Sequence, residues 1–243
     1  MTYEAPVLTL PEELILLTLD PGSGKPLCKA AFLAYGTAGA ALAELELQGR
    51  IREEHGRVQV VNPLPPADPH LAGLLRTLPQ SKGRRSGMRA RQWVDDFDRH
   101  VRERYLDSLV ERSLLSRETR RFLGLFPYHR HFPVHPDLVP GIRRRFTLAE
   151  EAGYPDHRDQ VLAALVSAIG LAGRLTRNGR PGRTAMKVLR RSQWTAMAVH
   201  HNVKKHESGS GGDDGGSGDS GNSGDSGDSG GGGCGSGCGG GGD

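Results

Sequence analysis

Arg99 and Arg102 stand three residues apart in a stretch whose apolar residues recur at helical spacing. Residues three apart on a helix emerge close together, so the two guanidinium groups share one surface. Guanidinium donors fork onto phosphate oxygens, which suits such a pair to an anion. Two interpretations fit this spacing from the residues alone: a solvated helix face on which the two arginines pair with Asp98 or Glu103, and an anion-binding site.

A second segment, from Phe122 to Val134, is rich in apolar residues for a surface element and is flanked by Arg117, Arg120, Arg121 and Arg130. Aromatic side chains suit a membrane interface and arginines suit lipid headgroups. We therefore predict a hairpin with three equal interpretations: a membrane contact, a dimer contact and part of the protein's own core. The residues assigned to a membrane or dimer contact are Phe122, Leu123, Leu125, Phe126, Tyr128 and Phe132.

Neither a metal site nor an active site is indicated. His129, His131 and His135 lie near Asp137, but they lack the helical HExxH arrangement and a cysteine pair. On a hairpin, alternate residues share a face for structural reasons alone. The sequence also has no Gly-rich phosphate loop after a strand, no GxSxG motif and no paired-carboxylate pattern. We expect no catalytic activity, no metal and no cofactor.

The charge is distributed unevenly along the chain. All 32 Lys and Arg residues precede residue 206, whereas seven of the 28 acidic residues follow it, so the body carries a net charge of +11. Such a body attracts polyanions, either a lipid surface or nucleic acid. Residues 207–243 are almost entirely Gly, Ser, Asp and Asn and cannot bury a core. We predict a domain over residues 1–206 and a disordered tail over residues 207–243.

Cysteine usage and hydropathy favour a cytoplasmic protein. Cys28 stands alone in the body, and the other two cysteines, Cys234 and Cys238, lie in the tail, so no disulfide framework is indicated. The first residues lack a signal-peptide pattern, and the longest apolar run, residues 161–173, is too short to cross a bilayer. Arg outnumbers Lys 26 to 6, a bias typical of GC-rich bacterial genomes.

The helices that position these residues are predicted from the helical periodicity of apolar side chains. Val94, Phe97, Val101, Tyr105 and Leu109 share one face and predict the clearest helix, over residues 91–115. A first helix is predicted after Thr9, with further helices at about residues 29–48, 69–78, 140–150, 160–174 and 184–205 and a break at 176–182. A hairpin is predicted over residues 50–61. The expected fold is mainly α: a single globular helical domain with short peripheral β-hairpins that form winged-helix-like units.

The winged-helix outline raises DNA binding as the alternative function, because a helix followed by a hairpin occurs twice in a strongly basic body. The first presumed recognition helix, residues 38–48, is apolar and carries Glu44 and Glu46. It offers few side chains that read bases, and the arginines cluster around the long helix and the Phe-rich hairpin instead. A nucleic-acid partner is therefore disfavoured.

Four blocks of the sequence resemble the Golgi phosphoprotein 3 family in residues, order and spacing. They are Leu8 to Leu17 (LTLPEELILL), Glu44 to Ile51 (ELELQGRI), Val101 to Arg104 (VRER) and Leu109 to Leu115 (LVERSLL). The resemblance spans about residues 7–205. It implies a mostly helical adaptor without catalytic activity that binds membranes peripherally through phosphatidylinositol 4-phosphate.

The resemblance also implies positions for the headgroup site. The family's two arginines on the long helix fall on Arg99 and Arg102. The Trp position falls on Lys29 and the Arg position of the second helix falls on Ala38, so two members of the pocket are replaced. The family's hydrophobic hairpin corresponds to residues 122–134 and implies insertion into a bilayer or a neighbouring subunit. The implied partners are an anionic phospholipid surface on the cytoplasmic face of a membrane (the Golgi in a eukaryote), a second copy of the chain and protein cargo.

Overall fold

The computed structural model describes residues 6–78, 87–122 and 126–209, without the side chains of residues 122, 126 and 127, and confirms the mainly α fold. The helices are α1 (Leu10–Leu17), α2 (Ala30–Leu47), α3 (Pro69–Thr77), α4 (Ala90–Glu111), α5 (Leu138–Glu151), α6 (His157–Ala168), α7 (Ala172–Leu175), α8 (Gly179–Ser192) and α9 (Trp194–Gly209). The strands are β1 (Leu19–Asp20), β2 (Lys25–Pro26), β3 (Ile51–Glu54), β4 (Arg57–Val60), β5 (Met88–Arg89), β6 (Leu115–Phe122) and β7 (Phe126–Pro133).

Three helices, α1, α2 and α6, form the centre of the molecule. Every residue of α1 is buried, as are most of α2 and residues 161–168 of α6. A helix that is apolar on all sides is stable only when other elements surround it, and α2 packs against α1, α4, α6 and α9. Its small residues permit this crowding, since a Cβ on Gly39 would overlap a methyl group of Val199 on α9.

The strands form three small antiparallel sheets within the described parts of the chain: β1–β2, β3–β4–β5 and β6–β7. A hairpin follows α2 and another follows α4, which confirms the two helix-plus-hairpin units expected from the sequence. In the second hairpin Arg117 pairs with His131 and Arg120 with Tyr128. The connection at residues 123–125 lies outside the described residues.

Several helix boundaries predicted from the sequence were wrong. The predicted helix over residues 160–174 is divided into α6 and α7, because the chain turns at Gly170 with a positive φ of 81°. The predicted helix over residues 184–205 is divided into α8 and α9 at Gln193, which has extended φ and ψ of −106° and 114°. The predicted break at 176–182 is shorter than expected, since α8 begins at Gly179. The long helix α4 ends at Glu111, and Ser113 turns the chain with a φ of 55°.

The predicted boundary between body and tail falls inside a helix. α9 continues to Gly209, beyond the boundary predicted after His206. Residues 210–243 lie outside the described residues, so the disorder of the tail stays a prediction.

Three acidic side chains are buried near the start of α1. Glu12, Glu13 and Glu44, called here the buried acid cluster, are 1%, 3% and 6% exposed. A buried carboxylate is costly unless cations and hydrogen-bond donors meet it. Backbone N–H groups supply part of this: Thr9 donates to Glu12 at 2.9 Å and Leu10 donates to Glu44 at 2.8 Å. Arginines supply the charge, in the pairs Glu12 with Arg112, Glu13 with Arg145, and Glu44 with Arg158.

Arg158→Ala tests the role of the buried acid cluster in stability. Its guanidinium donates to Glu44 and to the Leu8 carbonyl, both at 2.8 Å, and lies 3.5 Å from Glu13. Removing it leaves the buried Glu44 carboxylate without its counterion and Glu13 with Arg145 alone, so we expect the free energy of unfolding in urea to fall by about 3 kcal/mol. Arg144→Ala, at an exposed position of α5, should change it by less than about 0.5 kcal/mol. Equal losses in the two variants would contradict the electrostatic role.

Gly39→Ala tests the close packing of α2. The added methyl group would overlap Val199 and approach Leu165 at 3.3 Å, so we expect a destabilisation of about 1 to 3 kcal/mol by urea denaturation. Gly141→Ala is the matched control, because a Cβ there meets nothing within 4 Å. That substitution should stabilise α5 by about 0.5 to 1 kcal/mol through helix propensity.

Candidate functional site

Arg102 lies where α4 meets the beginning of α2. Its Nη1 donates to the carbonyl oxygen of Ala30 at 2.9 Å, and its side chain is 21% exposed. Lys29, the residue that precedes α2, is exposed, with its Nζ 5.5 Å from the centre of the Phe32 ring. Lys29 and Arg102 therefore lie at the same corner of the molecule, at the positive end of the α2 dipole.

Arg99 lies one turn away on the same helix and is exposed. Its charge lies close enough to Tyr35 and Asp98 to oppose the rise that burial causes in the pKa of each. Arg102 also acts on Asp98. The two arginines thus share the acidic neighbour that the alternative interpretation of the sequence named, while Arg102 also contacts α2.

Ala38 does not contribute to this corner. It is fully buried among the central helices, at 0% exposure. The position that carries an arginine in the resembling family thus lies in the core of this protein. Any headgroup site here must draw its remaining donors from another element.

A cleft of about 470 Å³ adjoins the corner and supplies such donors. It lies between α4, the turn from β1 to β2, the start of α2 and the base of the β6–β7 hairpin. Its apolar lining comes from Ile15, Leu19, Pro26, Leu33 and Leu106. Its polar lining is Arg102, Glu103, Asp107, Arg117, His129, Arg130 and His131.

The polar groups of the cleft are only partly paired. Arg117 forms an ion pair with Asp107, and Arg102 lies 3.9 Å from Glu103. By contrast, Arg102 Nε, Arg130 Nε and His131 Nε2 are buried and have no hydrogen-bond partner among the described residues. Buried polar nitrogens normally have partners. Two guanidinium N–H donors and one imidazole nitrogen at a single cleft are what an anionic ligand requires.

His131 is held in its neutral form by its surroundings. Burial, reinforced by the charges of Arg117 and His129, lowers the pKa of His131 to about 4, against the weaker opposite effect of Asp107. At neutral pH His131 therefore adds no positive charge to that of the arginines in the cleft. An anion bound beside His131 would favour protonation of the ring.

The described aromatic residues of the hairpin pair with arginines. Arg130 lies 4.9 Å from the Tyr128 ring, and Arg120 lies 5.6 Å from the Phe132 ring. Phe132 is half-buried and crowds Gly24, so part of its ring faces the β1–β2 turn rather than solvent. The other residues assigned to a membrane or dimer contact, Phe122, Leu123, Leu125 and Phe126, have side chains outside the described residues.

The helical spacing placed Arg99 and Arg102 near each other, and the family resemblance added Lys29, but neither assigned the base of the hairpin to the same site. His129 and His131 were considered only as metal ligands, although the register pairs His131 with Arg117. No group of three or more His, Cys, Asp or Glu residues within the described ranges is arranged to hold a metal ion. The alternate spacing of His129 and His131 on a strand next to arginines was the signal that could have indicated an anion site.

The burial of α2 also bears on the DNA-binding alternative. Residues 36–45 of this helix are buried, whereas a recognition helix must be exposed to enter a groove. A bilayer-spanning segment is likewise not found: none of the helices in the described ranges combines enough length with enough hydropathy to cross a membrane.

Comparison with known proteins identifies a family. A family model described as Golgi phosphoprotein 3 (GPP34) matches residues 10–206, which is most of the chain. This confirms the resemblance seen in the sequence blocks. No curated protein matches the chain.

Acid titration of stability tests the environment of His131. The unfolded chain protonates this residue below about pH 6.5, whereas the folded chain resists protonation down to about pH 4, so stability is lost as pH falls through that window. In His131→Gln we expect Tm to decline less between pH 6.5 and pH 4 than in the unmodified protein. His100→Gln, at an exposed position of α4, should retain the full decline. Equal pH profiles for the two variants would contradict the assignment.

Proposed function

Because the chain belongs to the Golgi phosphoprotein 3 (GPP34) family, we propose that it is a peripheral membrane adaptor that binds the anionic headgroup of a phospholipid. The family is one of lipid-binding adaptors and is not known for enzymes. The proposed ligand is of the phosphatidylinositol 4-phosphate type. Lys29, Arg99 and Arg102 are the proposed headgroup residues, as the sequence predicted.

The observation that carries the proposal is the set of unpartnered nitrogens beside Arg102. The Nη1 of Arg102 donates to the Ala30 carbonyl. The Nε of the same side chain has no hydrogen-bond partner among the described residues. Arg130 and His131 bring two more such nitrogens to the same cleft. A phosphate group could accept from the two guanidinium Nε–H donors after small side-chain adjustments, and from His131 when its Nε2 carries the proton; this would offset part of the cost of burying these groups.

Binding energy in this proposal has two sources. Each Lys or Arg held near an anionic leaflet contributes about 1 kcal/mol, and this contribution falls as salt rises. Burial of two aromatic side chains of the hairpin would add about 3 to 6 kcal/mol. The sum gives reversible docking, as expected of a peripheral protein.

The replacement of two family positions affects lipid choice. Lys29 offers a point charge where the family has an aromatic ring, and Ala38 is in the core. We propose that phosphate recognition is retained and that discrimination among phosphorylated headgroups is reduced. Protein cargo, self-association through the β6–β7 hairpin and location on the cytoplasmic face of a membrane belong to the same proposal.

Sedimentation with liposomes tests the headgroup site. We expect the protein to pellet with vesicles that contain phosphatidylinositol 4-phosphate more than with vesicles of equal charge that lack it. Arg99→Ala/Arg102→Ala should abolish this preference, because the phosphate loses its fork-shaped donors. Of the single variants, Arg102→Ala should have the larger effect, since only Arg102 lines the cleft.

Arg91→Ala/Arg104→Ala is the matched control for the liposome experiment. It removes the same charge from exposed positions of the same helix. Equal losses in the two double variants would show a general basic surface in place of a headgroup site. If no vesicle binds the unmodified protein, the membrane function is wrong and binding to duplex DNA becomes the next measurement.

A further inference from the structure

The C-terminal part of the body is basic without interruption. Residues 160–206 contain nine Lys and Arg residues and no Asp or Glu. In a domain of mixed charge, basic residues on a surface are commonly interspersed with acids. This segment covers most of α6, all of α7 and α8 and most of α9, and none of its arginines lines the cleft described above.

Five of these cations lie exposed on or beside α7 and α8. They are Arg174, Arg177, Arg180, Arg183 and Lys187. None of the five forms an ion pair with an acidic residue of the described ranges. The Arg174 guanidinium donates to the Leu27 carbonyl at 2.6 Å, and the other four residues are exposed. None of these charges is therefore neutralised by a direct ion pair.

An apolar strip adjoins the cations on the same helix. Pro181, Ala185 and Val188 are exposed, and Val188 retains 59% of its surface. Their spacing of four and three residues places them along one side of α8. The strip borders a cavity of about 650 Å³ that Tyr154 also lines.

The orientation of α8 is fixed by its opposite side. Gly182 and Met186 are buried, and a Cβ on Gly182 would overlap the Glu150 carboxylate and the Thr176 hydroxyl. Glu150 is itself buried and accepts from the Arg177 backbone N–H at 2.9 Å. The helix thus presents its cations and its apolar strip to solvent without local unfolding.

We propose that this surface of α7 and α8, called here the α8 face, is a second docking surface for an anionic phospholipid bilayer. The combination of unpaired cations with an adjacent apolar strip is typical of helices that lie in a membrane interface. The inference rests on the proposed membrane function. It adds a surface that recognises bilayer charge and leaves headgroup recognition to the corner at Arg102.

The α8 face adjoins the corner at Lys29, and in this proposal one bilayer contacts both surfaces. The hydrogen bond from Arg174 reaches Leu27, two residues before Lys29. The contact joins the end of α7 to the loop that leads into α2. A bilayer that touches Lys29 therefore passes close to the start of the α8 face.

Charge neutralisation tests the α8 face. The triple variant Arg180→Gln/Arg183→Gln/Lys187→Gln is compared with Arg52→Gln/Arg76→Gln/Arg104→Gln, which removes three exposed cations from β3, α3 and α4. Partitioning is measured on phosphatidylserine vesicles at low and high salt. We expect the α8 triple variant to bind about 100-fold more weakly at low salt and the control triple variant to change by less than about threefold, since distant exposed charges are screened.

A second pair of variants tests the apolar strip. Val188→Asp places an acid in the α8 face, whereas Val61→Asp places one at another exposed valine, which is 45% exposed. We expect only Val188→Asp to weaken partitioning onto phosphatidylserine vesicles. Urea denaturation of all variants should show unchanged folding, because every substituted side chain is exposed.

The outcomes separate this inference from the proposed headgroup site. The α8 triple variant should keep its preference for phosphatidylinositol 4-phosphate over vesicles of equal charge, because that preference belongs to Arg102. If vesicles bind without any such preference, the headgroup site fails, and the α8 face stands if the α8 triple variant still weakens binding more than the control triple variant. If the α8 and control triple variants weaken binding equally, the α8 face is wrong. Loss of binding to an acidic polypeptide or DNA without loss of vesicle binding would also overturn it.

Discussion

A carboxylate taken out of water must be met by cations and hydrogen-bond donors, and here the buried acid cluster is met by arginines from three separate parts of the chain. Arg112 follows α4, Arg145 lies on α5 and Arg158 lies on α6, while the acids lie on α1 and α2. The pairing therefore joins five elements around the start of α1. An apolar core alone would permit many arrangements of these helices, whereas charge pairing penalises those that separate an acid from its arginine.

The position of the candidate site follows from this arrangement. With α1, α2 and the end of α4 tied together, the middle of α4 lies along the beginning of α2, and Arg102 reaches the Ala30 carbonyl. The hairpin that follows α4 must then fold back beside the β1–β2 turn. The backbone N–H of His131 donates to the Gly24 carbonyl at 3.3 Å, which fixes the base of the hairpin against the cleft.

The sequence predicted those features that depend on the periodicity of a single helix. The face of α4 that buries Val101 and Tyr105 also set Arg99 and Arg102 close together. The break at Gln193 could not be anticipated, because the residues around it favour a helix and the interruption occurs where Trp194 donates to Glu46 on α2 at 2.7 Å. The cleft was also hidden, since its unpartnered nitrogens come from Arg102 on α4 and from Arg130 and His131 on β7, which only the packing of the hairpin beside α4 brings together. Likewise, the burial of Ala38 depends on four surrounding helices and leaves no mark in the alanine-rich sequence of α2.

Arg102 is anchored on a main-chain oxygen and not on a side chain. Any residue except one that distorts the helix can offer the same carbonyl at position 30, so the anchor does not depend on the identity of its neighbour. The exposed positions around the beginning of α2, Lys29 among them, are consequently free to change during evolution without displacing the guanidinium. The chemistry that this corner presents can in this way change while the scaffold and the position of Arg102 stay the same.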